Sequence, residues 1–275
     1  MANKFIRSTN DSETQSARGI TFVHHKGGTG KTTSCLSIAG WLVKMDKKVL
    51  VVDLDPQGNA TAGLGVDRKT VDSSIYDVLF DKKKIQEIIL ATDSGIHLAP
   101  SSLDLLAAET HMAGQVKNVG ILKERLKDVE EYFDYILIDV PPGSTFLMMM
   151  GIIAFENIII PLDAGVFAYE TLHTLKTLAI DLNQELNIEI NLMMMLIREY
   201  SNSMFDKCIT CEVKKMLKNF LIENNMQSVK IFTVPFSRKI YRAQMKGIPV
   251  SHYAPYSIVG MKYKRIAKEV LNYVE

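Results

Sequence analysis

The chain has three cysteines in 275 residues. Cys35, Cys208 and Cys211 cannot form the disulfide framework of a small secreted domain, so a reducing cytoplasm is the expected setting. Nothing in the opening M-A-N-K-F-I-R-S-T-N-D-S-E-T-Q-S supplies the apolar core of a signal peptide. Residues 1–18 read as a loose tail and 19–275 as one domain. The apolar run 146–162 is interrupted by Glu156 and Asn157 and is too short to span a bilayer, so it reads as a buried helix followed by a buried strand. There is no internal repeat, no low-complexity linker, and no helix-turn-helix or finger pattern that would read bases.

Neither charge sign dominates the whole, at net +1, but the two ends differ. Residues 1–189 carry 18 Lys+Arg against 25 Asp+Glu, and residues 190–275 carry 14 against 6. A basic C-terminal third points to an acidic partner such as nucleic acid.

Short apolar runs alternate with helical periodicities along the chain. Strands are expected at 20–23, 48–53, 95–99, 135–140, 157–162, 190–197 and 230–234. Helices are expected from Lys31 to about Met45, from Ser74, and over 102–112 with Ser101 or Ser102 as N-cap. Further helices are expected over 119–133, 169–186, 205–225, 239–246 (ended by Gly247) and 258–274. Strands apolar on both faces, alternating with helices, predict an α/β fold: a mainly parallel sheet covered by helices on both sides.

The chemistry is concentrated at the predicted strand ends. Residues 20–33 read I-T-F-V-H-H-K-G-G-T-G-K-T-T, a strand, a glycine-rich turn and a helix start. That is the context of a phosphate-binding loop. Gly27, Gly28, Thr29 and Gly30 let backbone N–H groups converge on phosphate oxygens, with Thr33 following in the helix. Lys31 would reach the β- and γ-phosphates, and the Thr32 hydroxyl would face Mg²⁺. The strand at 48–53 ends in Asp53 and leads to Asp55, and the strand at 135–140 delivers Asp139. Asp139 best fits a carboxylate holding a Mg²⁺ water, Asp53 would support that shell or the loop behind it, and Asp55 would position an attacking water. Lys26, at the start of the loop, is not needed for a phosphate in its own subunit and could reach one in a second subunit.

The motif K-G-G-T-G-K-T-T at 26–33 resembles the deviant phosphate loop of the ParA/MinD ATPases. The similarity continues through V-V-D-L-D-P-Q-G-N-A-T-A-G-L-G at 51–65, S-I-Y-D-V-L at 74–79, S-S-L-D-L-L-A-A-E at 101–109 and Y-I-L-I-D-V-P-P at 135–142. It ends with T-V-P-F-S-R-K-I-Y-R-A-Q-M-K-G-I-P-V at 233–250 and the closing helix, and is nearest the chromosomal, Soj-like ParA branch. The resemblance implies ATP and Mg²⁺, a homodimer formed on ATP with Lys26 contacting the opposite nucleotide, slow hydrolysis with Asp55 as the hydrolytic aspartate, and Pro235 and Phe236 near the adenine. It also implies non-specific DNA binding, nucleoid association in the ATP state and a ParB-like activating partner. Two segments depart from the pattern: His24-His25 replaces the usual polar pair, and the third motif reads D-V-P-P-G-S-T. No separate amphipathic membrane helix follows the closing helix, which disfavours the MinD branch and a membrane partner.

The candidate DNA-binding residues are Arg198, Lys214, Lys215, Lys218, Arg238, Arg242, Lys262, Lys264 and Arg265. Cys208-Ile-Thr-Cys211 supports a competing reading. Two thiols at this spacing are half of a Cys₄ site that a dimer could complete with zinc or an iron–sulfur cluster, as in the Mrp-type carrier ATPases, although their Cys-Pro-x-Cys form is lacking. The methionine runs 148–150 and 193–195 read as core.

Overall fold

The computed structural model describes residues 16–113, 116–165 and 167–273. Of the expected tail, residues 1–15 lie outside the described residues, and Arg18 already belongs to the first strand. The strands are β1 Arg18–Phe22, β2 Val49–Asp53, β3 Leu90–Ala91, β4 His97–Ala99, β5 Tyr135–Asp139, β6 Asn157–Asp163, β7 Asn191–Arg198 and β8 Lys230–Val234. The helices are α1 Lys31–Val43, α2 Asn59–Gly63, α3 Ile75–Leu79, α4 Ile85–Ile88, α5 Leu105–Met112 and α6 Ile121–Glu130. They continue with α7 Thr145–Ala154, α8 Phe167–Leu186, α9 Met204–Glu223, α10 Arg238–Met245, α11 Val250–Tyr253 and α12 Ile258–Asn272.

The strands form one sheet in the order β3-β4-β2-β5-β1-β6-β7-β8. Every neighbouring pair is parallel except the edge pair β3 and β4. The expected mainly parallel α/β sheet is therefore present. Side-chain alternation places a core on each face. Leu50 and Val52 of β2, with Ile136 and Ile138 of β5, join one core, packed with α6, α7 and α9. Val49, Val51, Tyr135 and Leu137 join the other, with α1 and α12. Both β2 and β5 are buried throughout, which explains their unbroken apolar sequences. Met150 and Met193 to Met195 are core residues, as expected.

Helix α1 is pinned under this second core. A Cβ on Gly40 would lie 2.2 Å from Ser251 Oγ, so only glycine lets α11 approach. Leu42 is fully buried there. Leu42→Ala is expected to cost about 2–5 kcal/mol, read as a lowered urea midpoint with unchanged slope.

Local expectations fail where tertiary contacts compete. The strand expected at 95–99 begins only at His97, because Gly95 (φ +74°) turns the β3–β4 connection. Helix α5 starts at Leu105, behind Asp104, not at Ser101 or Ser102. Ser101 instead gives its hydroxyl to the Asp55 carbonyl at 2.5 Å, while its N–H donates to Thr61 Oγ1 at 3.1 Å. The Ser102 hydroxyl accepts from Ser74 at 3.0 Å. Helices α2 and α11 were not expected; at five and four residues they are too short to show periodicity.

Candidate active site

The phosphate loop leaves β1 at the middle of the sheet. Gly28 (φ +79°) and Gly30 (φ +93°) take left-handed conformations that let the backbone curl before α1. Gly30 precedes α1, and no side chain caps the helix. The orphan N–H groups of its first turn, with the helix dipole, make an anion site. Lys31 is 6% exposed and its Nζ donates to the Lys26 carbonyl at 3.3 Å. Burial lowers its pKa, opposed by the charges of Asp139 and Asp55.

His24 fixes the start of the loop. Its Nδ1 accepts from the Lys26 backbone N–H at 2.9 Å, so Nε2 carries the proton and faces Thr171 Oγ1 of α8 at 3.2 Å. Burial, reinforced by His25, Lys31 and Lys26, pushes its pKa down to about 3. Below about pH 6.5 the unfolded chain binds a proton at this ring that the folded chain refuses. Its contribution to stability is therefore present above pH 6.5 and falls by up to about 1.4 kcal/mol per pH unit as pH drops towards 3. The difference between the urea midpoints of wild type and His24→Gln, followed from pH 7 to pH 5, reads this contribution. The buried Asp53 and Asp139, whose raised pKa values act in the opposite direction, are common to both.

On one side of the loop stand two carboxylates. Asp53 and Asp139 are register partners at the ends of β2 and β5, and both are fully buried. Burial raises both pKa values, and for Asp139 the charge of Asp53 comes next. Asp139 Oδ2 accepts from Thr32 Oγ1 at 2.6 Å, whereas Oδ1 is buried without a hydrogen-bond partner. An orphaned carboxylate oxygen beside a phosphate-loop hydroxyl fits Mg²⁺ chemistry. Thr32 and Asp139 are the residues that would hold the ion, whose charge would offset that of the phosphates. Of the two roles expected of Asp53, its hydrogen bonds fit the one behind the loop and not a place in the metal shell. Its Oδ1 accepts from the Asp55 N–H at 3.1 Å, and its Oδ2 from the Thr61 N–H and hydroxyl at 2.7 and 2.8 Å. It anchors the loop that carries Asp55.

Asp55 is 5% exposed and lines the cleft above the phosphate loop. Gln57 N–H donates to its Oδ1 at 2.9 Å, and Asn59 Nδ2 approaches its Oδ2 at 3.4 Å. The same cleft, about 430 Å³, is lined by Gly27, Gly28, Thr29, Gly30, Lys31, Thr32 and Thr33, and at its far end by Pro235 and Phe236 after β8. All these expected nucleotide-site residues are thus brought together. Lys26 is exposed and lies off the cleft, in a side recess with His24, Asp163 and Tyr200. The divergent third motif also docks here: Gly143 N–H donates to the His25 carbonyl at 2.9 Å, and Ser144 caps α7.

The basic residues separate into distinct groups. Lys214 and Lys218 lie on α9, Lys262 and Arg265 on α12, and Arg238 and Arg242 are exposed on α10. Lys215 is exposed on α9, and Lys264 sits over the Trp41 ring at 5.1 Å. Arg198 does not join them. It lines the cleft and donates through Nε and Nη2 to Asp163 Oδ1 at 3.0 and 2.8 Å. Its charge and region group it with the DNA candidates, whereas its place at the end of an apolar strand is the signal that also marks Asp139. Gln244, which donates to Thr33 Oγ1 at 3.1 Å, and Tyr263, whose hydroxyl lies 3.1 Å from Ser34 Oγ, were missed as cleft residues. No sequence signal marks them, because both come from late helices.

Cys208 and Cys211 are exposed within α9, and no group of three His, Cys, Asp or Glu among the described residues could hold a metal ion. The zinc or iron–sulfur reading therefore gains no support. Among the described residues no helix is long and apolar enough to cross a membrane.

Residues 17–240 match the family model described as an AAA domain. The Sporulation initiation inhibitor protein Soj of Bacillus subtilis is 32% identical over 91% of this chain and 97% of its own length. The chromosome-partitioning ATPase Soj of Thermus thermophilus is 31% identical over 94% of this chain and 97% of its own. The septum site-determining protein MinD of Pyrococcus horikoshii, solved with Mg-ADP, superposes with a TM-score of 0.73 at 25% identity, over 92% of this chain and 96% of its own. The cleft geometry, the phosphate loop and these relatives agree, and the chain belongs to the ParA/MinD family of ATPases.

Proposed function

We propose that this ATPase dimerises on ATP, binds DNA without sequence preference as a dimer, and partitions a chromosome, plasmid or other cargo in the cytoplasm. Hydrolysis, stimulated by a ParB-like partner, returns it to a monomer that leaves DNA. Lys26, exposed at the loop, is the residue assigned to the opposite subunit's nucleotide.

The observation that carries the DNA reading is the junction of α9 and α12. Lys262 has its pKa lowered by burial and then by the charges of Arg265 and Lys214. Arg265 and Lys214, from two helices, lie close enough to disfavour the charge of Lys262 against the opposing pull of Glu199, and a polyanion would relieve that repulsion. Backbone phosphates supply such a ligand without base readout. The partitioning role itself is drawn from the chromosome-partitioning relative.

The test is binding to random-sequence duplex across a salt series, with and without ATP. The ATP form should bind with a steep salt dependence. The triple variant Lys214→Ala, Lys262→Ala, Arg265→Ala should lower the slope of log K against log salt by about 0.9 for each phosphate that is no longer neutralised. ATP-loaded protein with no salt-dependent affinity for duplex would refute the DNA reading.

A further inference from the structure

Arg198 is a basic side chain that the DNA reading does not use. It ends β7, and its register partner on β6 is Asp163 and on β8 is Val234. Neighbouring parallel strands in register put their side chains on one side, so Arg198 and Asp163 meet directly. Two guanidinium nitrogens converge on one carboxylate oxygen, and Tyr200 lies with its ring 5.2 Å from the guanidinium carbon. The ion pair leaves Nη1 outside its hydrogen bonds. The side chain also passes close to the phosphate loop: a Cβ built on Gly30 would lie 3.7 Å from Arg198 Cδ. Val234, its partner on β8, leads straight into Pro235 and Phe236 at the far end of the cleft.

A nucleotide with its terminal phosphates on the loop and its base near Pro235 and Phe236 must run its α-phosphate past Arg198. We propose that Arg198 is a nucleotide-binding residue of this cleft, donating to the α-phosphate, and that Asp163 is the positioning residue that aims its guanidinium. This rests on the ATP reading of the cleft and does not depend on DNA binding. An arginine is suited to the task because its planar fork can hold a carboxylate with two donors and still present others to a phosphate oxygen.

The alternative is an ion pair that merely ties β6 to β7. Competition against a fluorescent ADP analogue, using adenosine, AMP, ADP and ATP, separates the two. In Arg198→Gln, the affinities for AMP, ADP and ATP should fall together by about 10- to 100-fold, with the ATP-to-ADP ratio unchanged and adenosine unaffected. Arg198→Lys should recover part of the loss. Asp163→Asn should show a smaller loss of the same pattern, and the double variant should be no worse than Arg198→Gln alone. Thermal melts of each variant confirm folding. Wild-type affinity for ADP and ATP in Arg198→Gln, or a loss shared equally by adenosine, would overturn the assignment. A wild-type protein that binds no nucleotide would overturn the ATP reading with it.

Discussion

Replacing Asp55 with alanine is expected to preserve ATP binding while slowing hydrolysis about 100- to 10,000-fold. None of the groups that would grip phosphate is removed: the phosphate loop, Lys31 and Thr32 are separate from the loop that Asp53 anchors. What is lost is the carboxylate that lines the cleft and would orient water towards the terminal phosphate. The local fold should survive, because Asp53 still holds Thr61 and Ser101 bonds the backbone carbonyl of residue 55 rather than its side chain. ATP should then stay bound, and the proposed dimer should accumulate. Isothermal titration with ATP, phosphate release and light scattering give the three readouts. A variant that hydrolyses at the wild-type rate refutes the assignment of Asp55.

Lys31→Ala is the opposite case, with both ATP and ADP expected to lose at least about 100-fold in affinity. The ammonium is buried in the loop, where its attraction for phosphate is little screened by water. It also offsets the charge of Asp139, whose carboxyl otherwise lies buried beside Asp53. Removing it takes away a cation that offsets Asp139 and leaves two buried carboxylates close to the phosphate site. Titration with ADP distinguishes the two variants directly: Asp55→Ala should bind, Lys31→Ala should not.

Much of this site was legible because it is local. A phosphate loop needs only a strand, a glycine-rich turn and a helix start, and all three occur within fourteen residues, 20–33. Asp55 and Asp139 could be picked out because each follows an apolar run, and strand ends in a parallel sheet face the ligand. The departures share a cause. Asp53 is a strand-end aspartate like Asp139, and of its two expected roles it takes the loop-supporting one, because Thr61, eight residues on, occupies the oxygen that a metal would need. Ser101 could cap a helix by local rules, yet a contact with Asp55, 46 residues away, claims its hydroxyl. Arg198 carries the charge of a DNA contact, yet its strand-end position directs it into the cleft.

From the sequence alone follow the α/β class, the phosphate loop, the carboxylates that serve it and the polarity of charge along the chain. All of these are properties of residue order within a few turns or one strand. The tertiary structure decided which side of the loop does what. β1 lies between β5 and β6, so Asp139 falls on one flank, and Arg198, Pro235 and Phe236 on the other. It also decided which lysines meet, since Lys214 and Lys262 come from helices far apart in the chain. Strand order and helix docking arise from burial of both sheet faces at once. That is a collective outcome of long-range packing, and no short stretch of sequence encodes it.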